Sequence, residues 1–591
     1  MLVAFGHGKQ RCGYDTSAEK DCIGKKPDGP SVPNGGFHYL FPDADDLREA
    51  DLDVRDLDGL AEAMIEADGE SATQNSKNPP ILTYFGQFVD HDITAGTDRE
   101  VSVSRIADND IRPLERSTVV ASIANLRDGS MRLDSLYGDP DAATAFERKL
   151  QGLMRFPGDR SKMWIAQAAD PGIALPTEVP FPTDGAADLL RLGRLMTGNS
   201  PAIMPAELDA LEGPLREAFV NADGSPRIQR AIIGDGRNDE NLLVAQLHLA
   251  FLRFHNRVVD SCRDEAVLSG GPDAVFAWAR QQVTFTYQWL TLNRYLTEVC
   301  DRAVVEDVLD RGSPLYSAFL RRVGQPSDPA RLPVPLEFSV AAFRFGHTMV
   351  RAAYDFNRFF GRAADGSQPF IPRAPFDLLF AFTGGGNPPM PRTDGVADSF
   401  DKLPAHWIIE WDRFARRAPA EMPDRSARKI DTCLATPLDD LVNEQGLPPE
   451  IFKRLARRNL RRGFLLNLPT GQDCVARVND ALGLSIAPLS VAELRSGKTG
   501  DHISDALCEK TPLWFYVLKE AETRGSGESL GPLGSYLVAD TIAGLVINDP
   551  ESYWNHQGSN GDRWSPSDGA QPAGRDVDSF VELLRAALLV G

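Results

Sequence analysis

Apolar positions recur along this chain at the three-to-four-residue spacing of a single helix face. After the polar loop at 234–239, Leu243, Leu247, Ala250, Phe251, Phe254 and Val258 form such a face and predict a long helix within 233–262. The same periodicity predicts helices over Leu47–Ala67, Ala274–Val299, 335–357, 511–522 and 533–547, and a basic one over 452–463 that stops at Gly463. Period-two alternation is scarce and no solenoid-length repeat occurs, so the expected fold is mainly α with little strand. Residues 1–40, rich in Gly, Pro and Lys, read as an extended arm. The Pro- and Gly-rich connection 362–398 is too long for an ordinary loop. Residues 555–576 read as a loose polar loop before a C-terminal helix.

The stretch Ile81–Thr94, ILTYFGQFVDHDIT, departs from this plain pattern. Pro79 and Pro80 open it and Gly96 follows it, which predicts a buried helix. Gln87 and His91, four apart, share one face; Asp90 flanks that face and Asp92 points away. An amide, an imidazole and two carboxylates on an apolar helix are costly unless each finds a partner. Taken alone, such a segment reads as a helix whose polar residues cap their neighbours. A second anomaly lies in 335–357, where Arg344, His347 and Arg351 interrupt an apolar run.

Composition narrows the partners. The formal charge of −21 argues against a nucleic-acid backbone or an anionic membrane surface, and no run of about 18 apolar residues marks a membrane span. MLVAFGHGKQRCGYD lacks the apolar length and cleavage pattern of a secretory signal, which leaves export by a signal-less route open. Seven cysteines (12, 22, 262, 300, 433, 474 and 508) show no metal-type spacing; the odd count permits one bridge, with Cys12 and Cys22 as candidates.

Four segments then change the picture: GQFVDHD (86–92), GDGRNDEN (234–241) running into LHLAFLRFHNR (247–257), FRFGHT (343–348) and RNLRRG (458–463). Together, in this order and spacing, they resemble the haem peroxidases of the animal peroxidase–cyclooxygenase superfamily, especially its bacterial members. The resemblance runs from about Phe41 to Tyr553. It implies one large helical catalytic domain (41–554) between the arm (1–40) and the C-terminal loop and helix (555–591), although length alone suggests about four domains.

The resemblance implies a role for each motif residue. Gln87 and His91 are the distal pair above a haem b, with Arg237 the distal arginine. His347 is the iron ligand, and Asn459 accepts its other ring proton. Asp90 and Glu240 match carboxylates that form ester bonds to haem methyls, and Arg344 and Arg462 match partners of the propionates. The chemistry agrees: breaking a peroxide O–O bond needs a neutral imidazole to move a proton, a fixed cation, and a nitrogen donor for iron. His248 and His255 read as packing residues. The implied partners are hydrogen peroxide and a small reducing substrate, either halide or thiocyanate, or a phenol.

Two positions depart from or discriminate within the family. A calcium site is implied at Asp92, Asp128, Ser130 and Asp134, all oxygen donors. Arg132 stands where the pattern has an acidic residue, so either calcium or the Arg132 guanidinium supplies the counter-charge, and the arginine is the expected substitute. Arg344 occupies the place of the radical-forming tyrosine of fatty-acid oxygenases, which favours a peroxidase over a fatty-acid dioxygenase. A catalytically silent haem-binding or adhesion module is the third reading, and intact His91 and Arg237 speak against it.

Overall fold

The computed structural model describes residues 36–45, 52–66, 72–95, 105–123, 125–139, 144–326, 328–362, 369–384, 402–441 and 450–591. Most of the arm, with Cys12 and Cys22, lies outside these residues, as does much of 362–398. The described residues are mainly helical, with two two-stranded pairs among them, Phe37–His38 with Val334–Pro335 and Ala353–Tyr354 with Ala374–Pro375. Among the described residues no helix is long and apolar enough to cross a membrane. Cys262, Cys300, Cys433, Cys474 and Cys508 are buried thiols.

Seven helices frame the site: α1 (Val54–Ala63), α2 (Ile81–Ile93), α3 (Leu242–Ser261), α4 (Gly271–Leu290), α5 (Leu455–Leu465), α6 (Leu513–Arg524) and α7 (Phe580–Ala586). Asp53 caps α1 by accepting the Arg55 N–H at 2.8 Å, and Asn241 caps α3 by accepting from Val244 N at 3.0 Å. Pro80 opens α2, and Thr94 leaves it in an extended conformation after donating to the Asp90 carbonyl. α2 lies against α3 and the 342–349 segment, α3 packs on α4 and α7, and α5 packs on α1 and α6. Aromatic rings lock these contacts: Phe88 stacks on Phe251 at 4.9 Å and Phe85 meets Phe580 at 4.7 Å.

Three expected elements differ. The helix expected over 335–357 is a wide turn at Glu337–Ala341 followed by a tight one at Ala342–Met349, and then extended chain. Tertiary bonds take over there: Arg351 N–H donates to Tyr354 Oη at 2.9 Å, and its guanidinium reaches Asn75 Oδ1 and the Ser426 carbonyl. Gly463 lies inside α5, and the chain turns instead at Asn467, whose φ is 51°. The stretch 555–576 is ordered turn rather than loose loop: Asp568 accepts the Ser559 and Ser565 N–H groups, and Trp564 packs on Phe285 at 5.4 Å.

The beginning of the described chain is tied to the site. Glu337, fully buried, accepts the Leu40 and Phe41 N–H groups at 2.7 and 3.0 Å, just ahead of the segment that carries His347.

Candidate functional site

α2 and the 236–241 turn face each other through side chains. His91 Nδ1 lies 2.9 Å from Asn238 Oδ1, and His91 Nε2 lies 4.0 Å from Glu240 Oε1. Gln87 donates from Nε2 to that same Glu240 oxygen and accepts from Asn241 Nδ2 at 3.1 Å. The expected one-face grouping of Gln87 and His91 is therefore present, with Glu240 joining both. Asp90 accepts the Thr94 hydroxyl at 2.9 Å on the flank of the same helix.

Arg237 is buried beside this group, but its bonds point to the helix backbone. Nη2 donates to the His91 and Thr94 carbonyls at 2.9 and 2.6 Å and to Asp235 Oδ2 at 2.7 Å. Burial alone would raise the Asp235 carboxyl, yet Arg127 and Arg237 hold it well below the usual range. The arginine thus braces the end of α2 as half of a buried ion pair.

The other histidine belongs to the 342–349 segment. His347 Nδ1 lies 3.1 Å from Asn459 Nδ2, while Asn459 Oδ1 accepts from Arg462 Nη2 at 2.8 Å. The pair is joined as expected, but the amide faces the other way: its oxygen is taken by the arginine and its nitrogen meets the ring. Arg344 is held by Nε to the Ser339 carbonyl at 3.0 Å, and Trp514 Nε1 donates to the Arg344 carbonyl.

The cations in this region fit an acidic cofactor. Arg344 and Arg462 are buried, and desolvation pushes their guanidinium groups down to about 10 and about 9, although Asp90 partly offsets it in both. Buried guanidinium groups are natural partners for carboxylates, which haem propionates would supply. His347, Arg344, Arg462, Asp90 and Glu240 are therefore a donor set of the right chemistry for haem.

The cation loop corrects one expectation. Arg132 does not neutralise Asp92 and Asp134. Its guanidinium forks onto Asp549 at 2.6 and 2.9 Å and reaches Glu551 at 2.8 Å at the surface. A bidentate carboxylate outcompetes the buried pair for it. Asp92 instead accepts the Leu133 and Ser135 N–H groups, both at 3.1 Å, Asp134 meets Arg280 at 3.0 Å, and Asp128 lies 3.7 Å from Arg331. Burial, then the charge of Asp134, pushes Asp92 and Asp128 each up to about 6. Among the described residues, Ser130 Oγ is buried with no hydrogen-bond partner. Among the described residues no three His, Cys, Asp or Glu side chains converge as a ready cage, so a cation here would also draw on Ser130 and backbone oxygens.

Several site residues escaped the sequence reading. Asp235, Asn238 and Asn241 all lie in or beside the GDGRNDEN loop, where three polar residues flanking the start of an apolar helix were the available signal. Arg127 and Trp514 gave none, because only tertiary packing brings them here.

Residues 190–371 match the family model described as animal haem peroxidase. A peroxidase-like protein of Margaritifera margaritifera is 24% identical over 341 residues, covering 55% of this chain and 40% of its own length. The chain spans less than half the length of the curated relatives it matches. Among solved structures, peroxidase A of Dictyostelium discoideum superposes with a TM-score of 0.52 at 13% identity, covering 100% of this chain and 97% of that one. A fatty acid alpha-dioxygenase of Arabidopsis thaliana gives 0.49 at 11% identity over 90% of this chain and 72% of its own.

Proposed function

From the match of residues 190–371 to the animal haem peroxidase model and the likeness to peroxidase-like relatives, we propose that the chain is a member of the animal peroxidase–cyclooxygenase superfamily and a haem peroxidase using hydrogen peroxide to oxidise small donors, halide or thiocyanate or phenolic compounds. The observation that carries this reading is the pairing of two histidines on touching segments: His91 on α2 and His347 on 342–349, with desolvated Arg344 and Arg462 beside them. Haem, when bound, supplies an iron that takes up the oxidising equivalents of peroxide and passes them to a donor. The protein's part is binding and proton handling. His91 Nε2 takes the proton from the near peroxide oxygen and returns it to the far one. Gln87 and Glu240 order the space around that nitrogen, and Arg237 holds the helix end that carries it.

His347 would hold iron through Nε2, which would place the ring proton on Nδ1 and call for an acceptor opposite. Asn459 would supply that acceptor with its amide turned over and Arg462 directed to a propionate. Arg344 takes the position at which an oxygenase needs an oxidisable tyrosine, and a guanidinium cannot serve there. Absorption spectra of purified protein with and without peroxide, followed by assays on bromide, iodide, thiocyanate and a phenol, test the reading. A protein that binds haem but turns over none of these donors would sink it.

Asp90 and Glu240 are placed to esterify haem methyls. After peroxide treatment, acidified organic extraction should leave the haem colour with the protein. Complete extraction would leave the two carboxylates as hydrogen-bonding groups only.

In the loop of Asp92, Ser130 and Asp134 the counter-charge is calcium, since Arg132 is engaged elsewhere and Ser130 Oγ is unpartnered. Metal analysis should find about one ion per chain, and chelation should lower the melting temperature. Metal-free protein with unchanged melting in chelator would assign the compensation to Arg280 and Arg127.

A further inference from the structure

Behind His91 lies a bridge to which none of the roles above assigns a function. Asn238 Oδ1 is 2.9 Å from His91 Nδ1, and Asn238 Nδ2 is 3.2 Å from His248 Nδ1. All three side chains are 0% exposed. The asparagine sits in the turn Gly236–Asp239, its own N–H donating to the Asp235 carbonyl at 3.0 Å, so its backbone is fixed.

An amide oxygen only accepts and an amide nitrogen only donates. In this arrangement His91 must carry its proton on Nδ1, and His248 must present a bare Nδ1. His248 is suited to that part. Burial pushes it down to about 3, against the opposing pull of Asp235, so it stays neutral. Among the described residues its Nε2 is buried without a hydrogen-bond partner, and its ring lies edge-on to Phe88 at 6.2 Å. Among the same residues, the polar contact that fixes this imidazole is the amide.

We propose that Asn238 is a positioning residue for the distal histidine, holding the His91 proton on Nδ1 so that Nε2 is bare, with neutral His248 as the fixed acceptor that keeps the amide from turning over. This rests on the reading of His91 as the group that moves the peroxide proton. The bridge acts against a real competitor: Glu240 Oε1, 4.0 Å from Nε2, favours a proton on that nitrogen instead. Without the amide the proton settles towards Glu240, and the base that peroxide needs is lost.

The unmodified protein tests the tautomer directly. In haem-loaded, histidine-¹⁵N-labelled protein held as the diamagnetic ferrous carbonyl form, the His91 signal should show a protonated Nδ1 and an unprotonated Nε2. A proton on Nε2 would overturn the proposal whatever the variants do. Asn238→Ala should keep its haem, lose that tautomer preference and react with peroxide about 10–100-fold more slowly. Asn238→Asp, which still accepts from Nδ1, should restore the tautomer and much of the rate. His248→Leu should weaken both readouts in the direction of Asn238→Ala. A slow His91→Ala beside a fast Asn238→Ala would take down this inference alone, whereas a fast His91→Ala would take down the reading beneath it.

Discussion

His347→Ala protein should emerge from purification with little haem, or bind it only when imidazole is added to the buffer. On the proposed reading this ring is the nitrogen that the 342–349 segment offers to iron, and with α2 and α6 packed on that segment alanine has no side-chain donor to replace it. Because the ring also meets Asn459, and Asn459 meets Arg462, its loss leaves the Asn459–Arg462 pair without a ring to orient. The haem-to-protein ratio, read from the absorption spectrum, is the measurement. Unchanged haem content with an unchanged spectrum would remove His347 from the site.

His91→Ala should retain haem and react with peroxide slowly, by about 10²–10⁴, the usual cost of deleting a general acid–base group. Stopped-flow mixing with peroxide reads the effect. On the proposed reading the groups that hold haem, Arg344, Arg462 and His347, belong to other segments, so loss of the His91 imidazole should leave it bound. Arg237→Ala is expected to slow the same step by a different route, because its guanidinium holds the His91 and Thr94 carbonyls at the end of α2. Its loss should therefore also lower the melting temperature, which His91→Ala should not do to the same degree. Rates within a few-fold of the unmodified protein for both variants would refute the assignment.

The sequence made the helices legible where one face was apolar and the ends were marked. α2 falls within one residue of its expected end because prolines open it and its polar residues fall on a helical spacing. α3 was legible from its apolar face after the polar loop at 234–239, though its cap, Asn241, was not read. The segment carrying His347 was misread beyond Met349, because its apolar spacing continues while tertiary bonds from Tyr354, Asn75 and Ser426 pull the backbone into extended form. Periodicity cannot register such bonds. Side-chain direction was the other blind spot. Arg132 and Arg237 each stood at an expected position, yet Asp549 and Asp235, one of them far along the chain, decide where their charges go.

The placement of the site residues has a consequence for how the molecule assembles. The matched stretch 190–371 contains Arg237 and His347 but neither α2 nor Asn459. The residues that gather around α2 and the 342–349 segment run from Gln87 to Arg462, so the site comes together only after long loops have been drawn in. Loop closure of that length costs entropy before any contact repays it, and slows the search accordingly. On the proposed reading haem would bind across α2 and the segment of His347, and its binding energy would add to the stability of a closure that no single stretch of the chain could make alone.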